Sequence, residues 1–265
     1  SIFSGRQLRD HPAGVSSASP SFRLSMARPL AEADRMRTAL LAAVSHDLRT
    51  PLASAKAAVE SLRNTGVDWS PQDREELLAT ADESLAKLDR LVANLLDMSR
   101  LQAGVLGLRL EPTSIEEIVP RAVDDLGPLS HRIEVDLSDG LPEVVADQAL
   151  LERILVNLMS NAVRYSPGDR RVLVMAGEYG DHVEIRVVDR GAGIPPDAYE
   201  RVFMPFQRLG DRDNHTGVGL GLALSRGLAE AMAGTLLPEE TPGGGLTMIL
   251  TIPVSSRARA AVERP

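Results

Sequence analysis

The chain of 265 residues has no cysteine. That excludes a disulfide framework and a thiolate metal site, and agrees with a reducing compartment. Nor is there an excess of positive charge: 29 Lys and Arg stand against 37 Asp and Glu, for a net charge of -8 and a pI near 5.2. A nucleic-acid binder carries the opposite footprint, so DNA and RNA are not expected partners. No uncharged apolar run approaches the ~20 residues that span a bilayer. The first charged residues after Ser1 lead into no apolar core of a secretory signal. The chain also lacks an initiator Met, which marks it as an expected fragment with any membrane-spanning part outside it. What remains is 43% hydrophobic, ordinary for a globular protein and enough for one large domain or two small ones.

Between Leu30 and Leu62 apolar residues recur at Leu40, Val44, Leu48, Leu52, Ala55, Val59 and Leu62, steps of four and three that fit one helix face. Asn64, Thr65, Gly66 and Ser70-Pro71 then mark a turn, and Leu78, Ala81, Leu85, Leu88, Val92 and Leu95 repeat the pattern. Two long helices so joined form a hairpin. Each stripe then has one neighbour at most, so pairing of two hairpins into a dimeric four-helix bundle is the expected solution. After Ala103-Gly104 the period changes. Strand-like runs ("VLGLRL", "RIEVDL", "RVLVMAG", "HVEIRVVD", "LTMILTIPV") alternate with helical stretches near 114–126, 148–164 and 218–232, as in an α+β domain with helices on one face of a sheet. The expected organisation is an irregular leader over 1–29, a helical domain over 30–103, an α/β sandwich over 104–255 and a polar tail over 256–265.

"VSHDLRTPL" sets His46 roughly opposite the apolar stripe, with Asp47 beside it, Thr50 one turn on, and Pro51 removing the amide that would bond the Asp47 carbonyl. Taken alone, His46 reads first as a solvated surface side chain. Metal binding is disfavoured, since no second histidine lies at i+3 or i+4. A nucleophile explains more: an imidazole attacks through one nitrogen while the neighbouring carboxylate orients the proton on the other. Loosening of the helix at Pro51 would leave room for an in-line phosphate.

In "ERILVNLMSNAVRYSPG", Asn157 and Asn161 share a helix face, followed by Arg164 and Tyr165; amide oxygens suit Mg²⁺, which keeps phosphates and waters as its other ligands. "VVDRGAGIPP" ends a strand at Asp189 and turns through Gly191 and Gly193, where a carboxylate can accept the amine of adenine. "TGVGLGLALSRGLAE" places Gly217, Gly219 and Gly221 at a helix start, whose free amides favour phosphate. Between them "VFMPFQRLGDRDNHTG" is a polar loop of the kind that closes as a lid. Its Phe203 and Phe206 read as core anchors rather than adenine stackers.

The order of these clusters resembles that of the sensor histidine kinases of two-component signalling, over about residues 30–253, with "SHDLRTPL", "NLMSNAVRYSP", "DRGAGIP", "VFMPF" and "GVGLGLAL" similar to the family's H, N, G1, F and G2 boxes. The resemblance implies a dimerisation and histidine-phosphotransfer bundle followed by a Bergerat-type (GHKL) domain that binds ATP and Mg²⁺. It implies His46 as phosphoacceptor, Asp47 as acid/base partner and Thr50 in phosphatase action. Asn161 would be the principal Mg²⁺ ligand, with Asn157, Arg164 and Tyr165 near the phosphates. Asp189 would bind adenine, and the glycines at 191, 193, 217, 219 and 221 would shape the site. "TALLAAVSHDLRTPLASAKAAVESLR" is further similar to the potassium-responsive KdpD sensors. That implies a homodimer, a KdpE-like response regulator as partner, and the cytoplasmic portion of a membrane-anchored bacterial sensor. "DHPAGVSSASPSFRLSMARP" departs from the pattern, because it interrupts the upstream helix that feeds such kinases. Two rivals remain: a Bergerat-fold ATPase acting as a conformational clamp, and a non-enzymatic dimeric adaptor.

Overall fold

The computed structural model describes residues 45–64, 66–205 and 219–255. Apart from Ser45 they belong to one compact unit, His46–Pro265. Helix α1 is described over 45–63 and α2 runs Pro71–Gln102. The start of α2 is written in its sequence. Ser70 accepts the Asp73 amide while the Asp73 carboxylate takes the Ser70 amide, a reciprocal cap, and Pro71 fills the first turn, where no amide is needed. The single tryptophan secures the connection, Trp69 Nε1 donating to the Ser61 carbonyl at 2.9 Å. Small side chains, Ala55 and Ala58 on α1 and Ala81 on α2, are buried. The large ones on the expected stripes are not: Leu52, Leu78 and Leu85 stay at least half exposed, and Val59 and Val92 are exposed; of their neighbours off the stripe on α2, Leu96 is exposed and Leu91 is buried. The part of the first stripe before Ser45 lies outside the described residues.

The second half is a two-layer α/β sandwich. Its strands are β1 Glu111–Thr113, β2 Ile133–Leu137, β3 Val144–Ala146, β4 Val172–Tyr179, β5 His182–Val188, β6 Thr235–Glu240 and β7 Leu246–Pro253. Five of them form a sheet in the order β2-β4-β5-β7-β6, antiparallel except for the β2·β4 pair, and β1 pairs with β3 separately. Helices α3 Ile115–Asp124, α4 Gln148–Tyr165 and α5 Gly221–Ala231 supply the second layer. Alternation in the strands gives the sheet one covered face: Val172, Val174, Ala176, Val183, Ile185, Val187, Leu250 and Ile252 are buried with Leu151, Ile154, Leu155, Leu158 and Met159 of α4. The same period of three and four that buries this stripe puts Asn157 and Asn161 on the flank of α4.

The helical and sandwich portions meet where α2 ends. Arg153 of α4 forms an ion pair with Asp97 and donates to Asn94 Oδ1 at 2.7 Å, while Leu101 packs directly on the Cα of Gly227 in α5. Burial lowers the Arg153 pKa from its usual value.

Three local expectations change. "VLGLRL" is not a strand: 105–110 runs irregularly, with Leu106 and Leu108 packed against the core, so its alternation records burial rather than pairing. Strands β1, β3 and β6 were not foreseen; β1 and β3 are only three residues long, and β6 contains Pro238, tolerated because β6 is an edge strand. Finally, α1 continues unbroken across Pro51. One missing amide does not interrupt the helix there, so the anticipated loosening is absent.

Candidate active site

The residues singled out from sequence fall into two clusters. The first is on α1. His46 Nδ1 lies 3.0 Å from Asp47 Oδ1, and the His46 side chain is 68% exposed against 15% for Asp47. With Nδ1 turned to the carboxylate, Nε2 is the nitrogen directed away from it. Such a hydrogen bond fixes the proton on Nδ1 and leaves the Nε2 lone pair for an electrophile. The Thr50 hydroxyl, exposed on the same helix, donates to the His46 carbonyl at 3.2 Å.

The second cluster assembles where α4, the end of β5, the β6–β7 turn and the start of α5 converge. Asp189 follows β5 and is 6% exposed. Its Oδ1 accepts two backbone amides, Gly191 at 2.8 Å and Leu246 at 2.9 Å, which leaves Oδ2 as the oxygen free of these two bonds. Two backbone approaches hold the loop. An added Cβ on Gly191 would lie 2.5 Å from the Tyr165 carbonyl oxygen, and Gly245, with φ +119°, packs against the Asp189 carbonyl with no room for a side chain. The Ser166 hydroxyl closes the junction by accepting the Arg190 amide at 3.2 Å. Gly193 lies against the Gly245 carbonyl.

Along α4 the two asparagines differ. Asn157 donates to Ser225 Oγ at 2.9 Å and its amide abuts Gly221, so it fastens α4 to the start of α5. Asn161, one turn on and half-buried, has no side-chain hydrogen bond among the described residues. Arg164 and Tyr165 are exposed at the end of the helix. Gly219 and Gly221 flank the α5 start, and Gly217 and Phe206 lie outside the described residues. Phe203 is buried in the core as expected, with the Arg226 guanidinium 4.6 Å over its ring. Hydrogen bonding to Glu200 at 2.8 Å holds the Arg226 pKa above its usual value and ties α5 to the segment around Phe203. Sequence reasoning missed Ser166, Ser225, Gly245 and Leu246. For Gly245 a signal was present, the triple glycine of "TPGGGL"; the serines and Leu246 offered none.

Because Gly191 touches Tyr165, Gly191→Ala should push the Asp189 loop off α4, a strain of about 1 to 3 kcal/mol. Nucleotide affinity is expected to fall about tenfold or more. Titration with a fluorescent ATP analogue reads this directly, and unchanged affinity would remove the Tyr165 contact from the account.

The chain thus joins a hairpin bearing an exposed histidine to an α/β sandwich, and comparison with known proteins assigns both parts. The family model "Histidine kinase-, DNA gyrase B-, and HSP90-like ATPase" matches residues 146–256, and "His Kinase A (phospho-acceptor) domain" matches 36–104. The chain belongs to the sensor histidine kinases. Among curated relatives it is 50% identical over 234 residues to the sensor protein KdpD of Mycobacterium tuberculosis (strain ATCC 25618 / H37Rv), 85% of this chain and 27% of that protein. With the sensor protein KdpD of Escherichia coli (strain K12) it shares 36% over 229 residues, 86% of this chain and 25% of that one. It thus spans about a quarter of their length. Among solved structures, full-length ShkA in complex with AMPPNP aligns with a TM-score of 0.59 at 28% identity, over 81% of this chain and 46% of that one. Acinetobacter baumannii histidine kinase AdeS, at 22% identity, shares the fold with a TM-score of 0.59, over 80% of this chain and 98% of that one.

Proposed function

We propose that this chain is the catalytic portion of an ATP-dependent protein-histidine kinase that phosphorylates His46 and passes the phosphate to an aspartate of a response regulator. The observation that carries the reading is His46 itself, exposed, with Nδ1 held by Asp47. In the transfer, the Nε2 lone pair attacks the γ-phosphorus of ATP. The bond to the β,γ-bridging oxygen breaks, ADP leaves with the electron pair, and Asp47 takes the Nδ1 proton. The second transfer moves the phosphoryl group from nitrogen to a carboxylate oxygen of the regulator. A clamp ATPase has no use for this histidine, and the phospho-acceptor match over 36–104 favours the kinase.

Asp189 Oδ2 would accept the adenine amine, and the amides around Gly219 and Gly221 would face the phosphates. The residues present fit Mg²⁺ of the kind that travels with a triphosphate. Among the described residues no group of three or more His, Cys, Asp or Glu could cage a cation, whereas Asn161 presents one amide oxygen not engaged elsewhere. Bound there, the metal would neutralise charge developing on the phosphates. The exposed Leu52, Val59, Leu78, Leu85, Val92 and Leu96 support a homodimer, since each large aliphatic side chain gains about 1.5 to 3 kcal/mol on burial. Similarity to the KdpD sensors supports potassium-linked signalling, a KdpE-like receiver as partner, and a cytoplasmic position on a membrane-anchored protein. Among the described residues no helix is long and apolar enough to cross a membrane.

The test is incubation with γ-labelled ATP. Label that is lost in acid and survives alkali supports phosphohistidine; acid-stable label would overturn the reading. Thr50 refines it. Its hydroxyl lies one turn from His46 and bonds the His46 carbonyl, leaving the imidazole alone, so Thr50→Ala should leave labelling within about twofold, as expected for an exposed side chain. Dephosphorylation of the phosphorylated regulator should fall about tenfold or more, the scale for a group that positions a reacting water. Regulator half-lives that do not differ between the two proteins would end the assignment.

A further inference from the structure

Arg132 belongs to none of the motifs, yet it bonds the end of α4 two residues past Asn161. It ends the short 3₁₀ turn Gly127–Arg132 and is half-buried. Among the described residues its guanidinium reaches no carboxylate. Nη1 donates to the Val163 carbonyl at 3.0 Å, and Nη2 faces the carbonyls of Pro167 at 2.5 Å, Arg170 at 2.9 Å and Ser166 at 3.4 Å. Nε is buried without a partner. One side chain thus ties the Val163 carbonyl, in the last turn of α4, to the carbonyls of the turn that follows the helix, a place where the helix dipole also favours a cation.

The segment so gripped, 163–170, continues the Asn161 face and touches the Asp189 loop. Arg164 and Tyr165 end the face that bears Asn161. The Tyr165 carbonyl meets Gly191, and Ser166 Oγ holds the Arg190 amide beside Asp189. Phosphate side and adenine side therefore join through residues 165–166 and 189–191, and Arg132 fixes that joint from the opposite side. Its guanidinium is suited to this because a planar fork reaches several carbonyls at once, as a single ammonium cannot.

We infer that Arg132 is a positioning residue for ATP: it locks the end of α4 so that Asn161 and Asp189 are held at the separation the nucleotide requires. The inference rests on the kinase reading only for the identity of the nucleotide.

The experiment compares wild type, Arg132→Lys and Arg132→Ala at a temperature where circular dichroism shows each to be folded. The Kd for AMPPNP with Mg²⁺ and the steady-state constants for labelling are measured side by side. A positioning role predicts that Kd and KM rise about tenfold in Arg132→Ala, by the loss of hydrogen bonds to a charged group, with Arg132→Lys between the two. A merely structural role predicts something else: the folded fraction binds as wild type does, so KM stays constant and only the apparent kcat falls. Kd and KM within twofold of wild type in the folded variants would overturn the inference. If Arg132→Ala does not fold, Arg132→Gln, which retains two donors, replaces it under the same criterion. Wild-type protein that binds AMPPNP but takes no label would count against the kinase reading alone, because the Kd comparison still tests Arg132.

Discussion

His46→Gln is expected to take no label from γ-labelled ATP while binding the nucleotide as tightly as wild type. The side chain is 68% exposed and its side-chain hydrogen bond among the described residues is to its neighbour Asp47, so the substitution removes little packing. Surface changes of that kind stay within about 0.5 kcal/mol of stability. Glutamine can still donate to Asp47, but its amide nitrogen has no lone pair comparable to Nε2, so the nucleophile is lost outright. The proposed nucleotide residues Asn161 and Asp189 lie on α4 and after β5, elements that do not include His46. Equilibrium binding and autoradiography of the same preparation check both halves of the expectation. Label on the variant comparable to wild type would place the phosphoacceptor elsewhere.

Sequence made legible those parts whose chemistry is local. The helical stretch of α4, the strand-like runs of β4, β5 and β7, and the turn at Ser70-Pro71 follow from period and side-chain type, and the structure places a helix, strands and the start of α2 there. The exposed leucines of the hairpin were legible in a different way, since their spacing asks for a partner surface that a single chain does not supply. What escaped is non-local. "VLGLRL" has the period of a strand but runs irregularly and packs on the core instead of pairing, and β6 carries a proline that only its edge position excuses. In the site, Asp189 could be read from "VVDRGAGIPP", but that Leu246 supplies one of its two amides depends on the pairing of β5 with β7. Arg132 is the extreme case: its acceptors are at least 31 positions away, and nothing around it in sequence announces them.

Asp189→Asn should exchange preference for adenine against preference for a 6-oxopurine. Asp189 Oδ1 accepts the amides of Gly191 and Leu246, and an asparagine can repeat both bonds only with its oxygen in that place. The reverse orientation would aim an NH₂ group at two N–H donors, so the side chain has one choice. Its nitrogen then replaces Oδ2, and a donor meets the exocyclic amine of adenine where an ionised acceptor had been. The lost charge-assisted bond and the unpaired donor together cost about 3 to 5 kcal/mol, a hundredfold or more in affinity for ATP. The fold should survive, because the two backbone bonds persist and the volume is unchanged. Inosine triphosphate carries a carbonyl at the same position and can accept from the new NH₂ group. In competition binding the variant should therefore prefer inosine triphosphate to ATP, and wild type the reverse. If both proteins rank the two nucleotides alike, Asp189 does not read the purine edge, and the carboxylate serves only to hold Gly191 and Leu246 together.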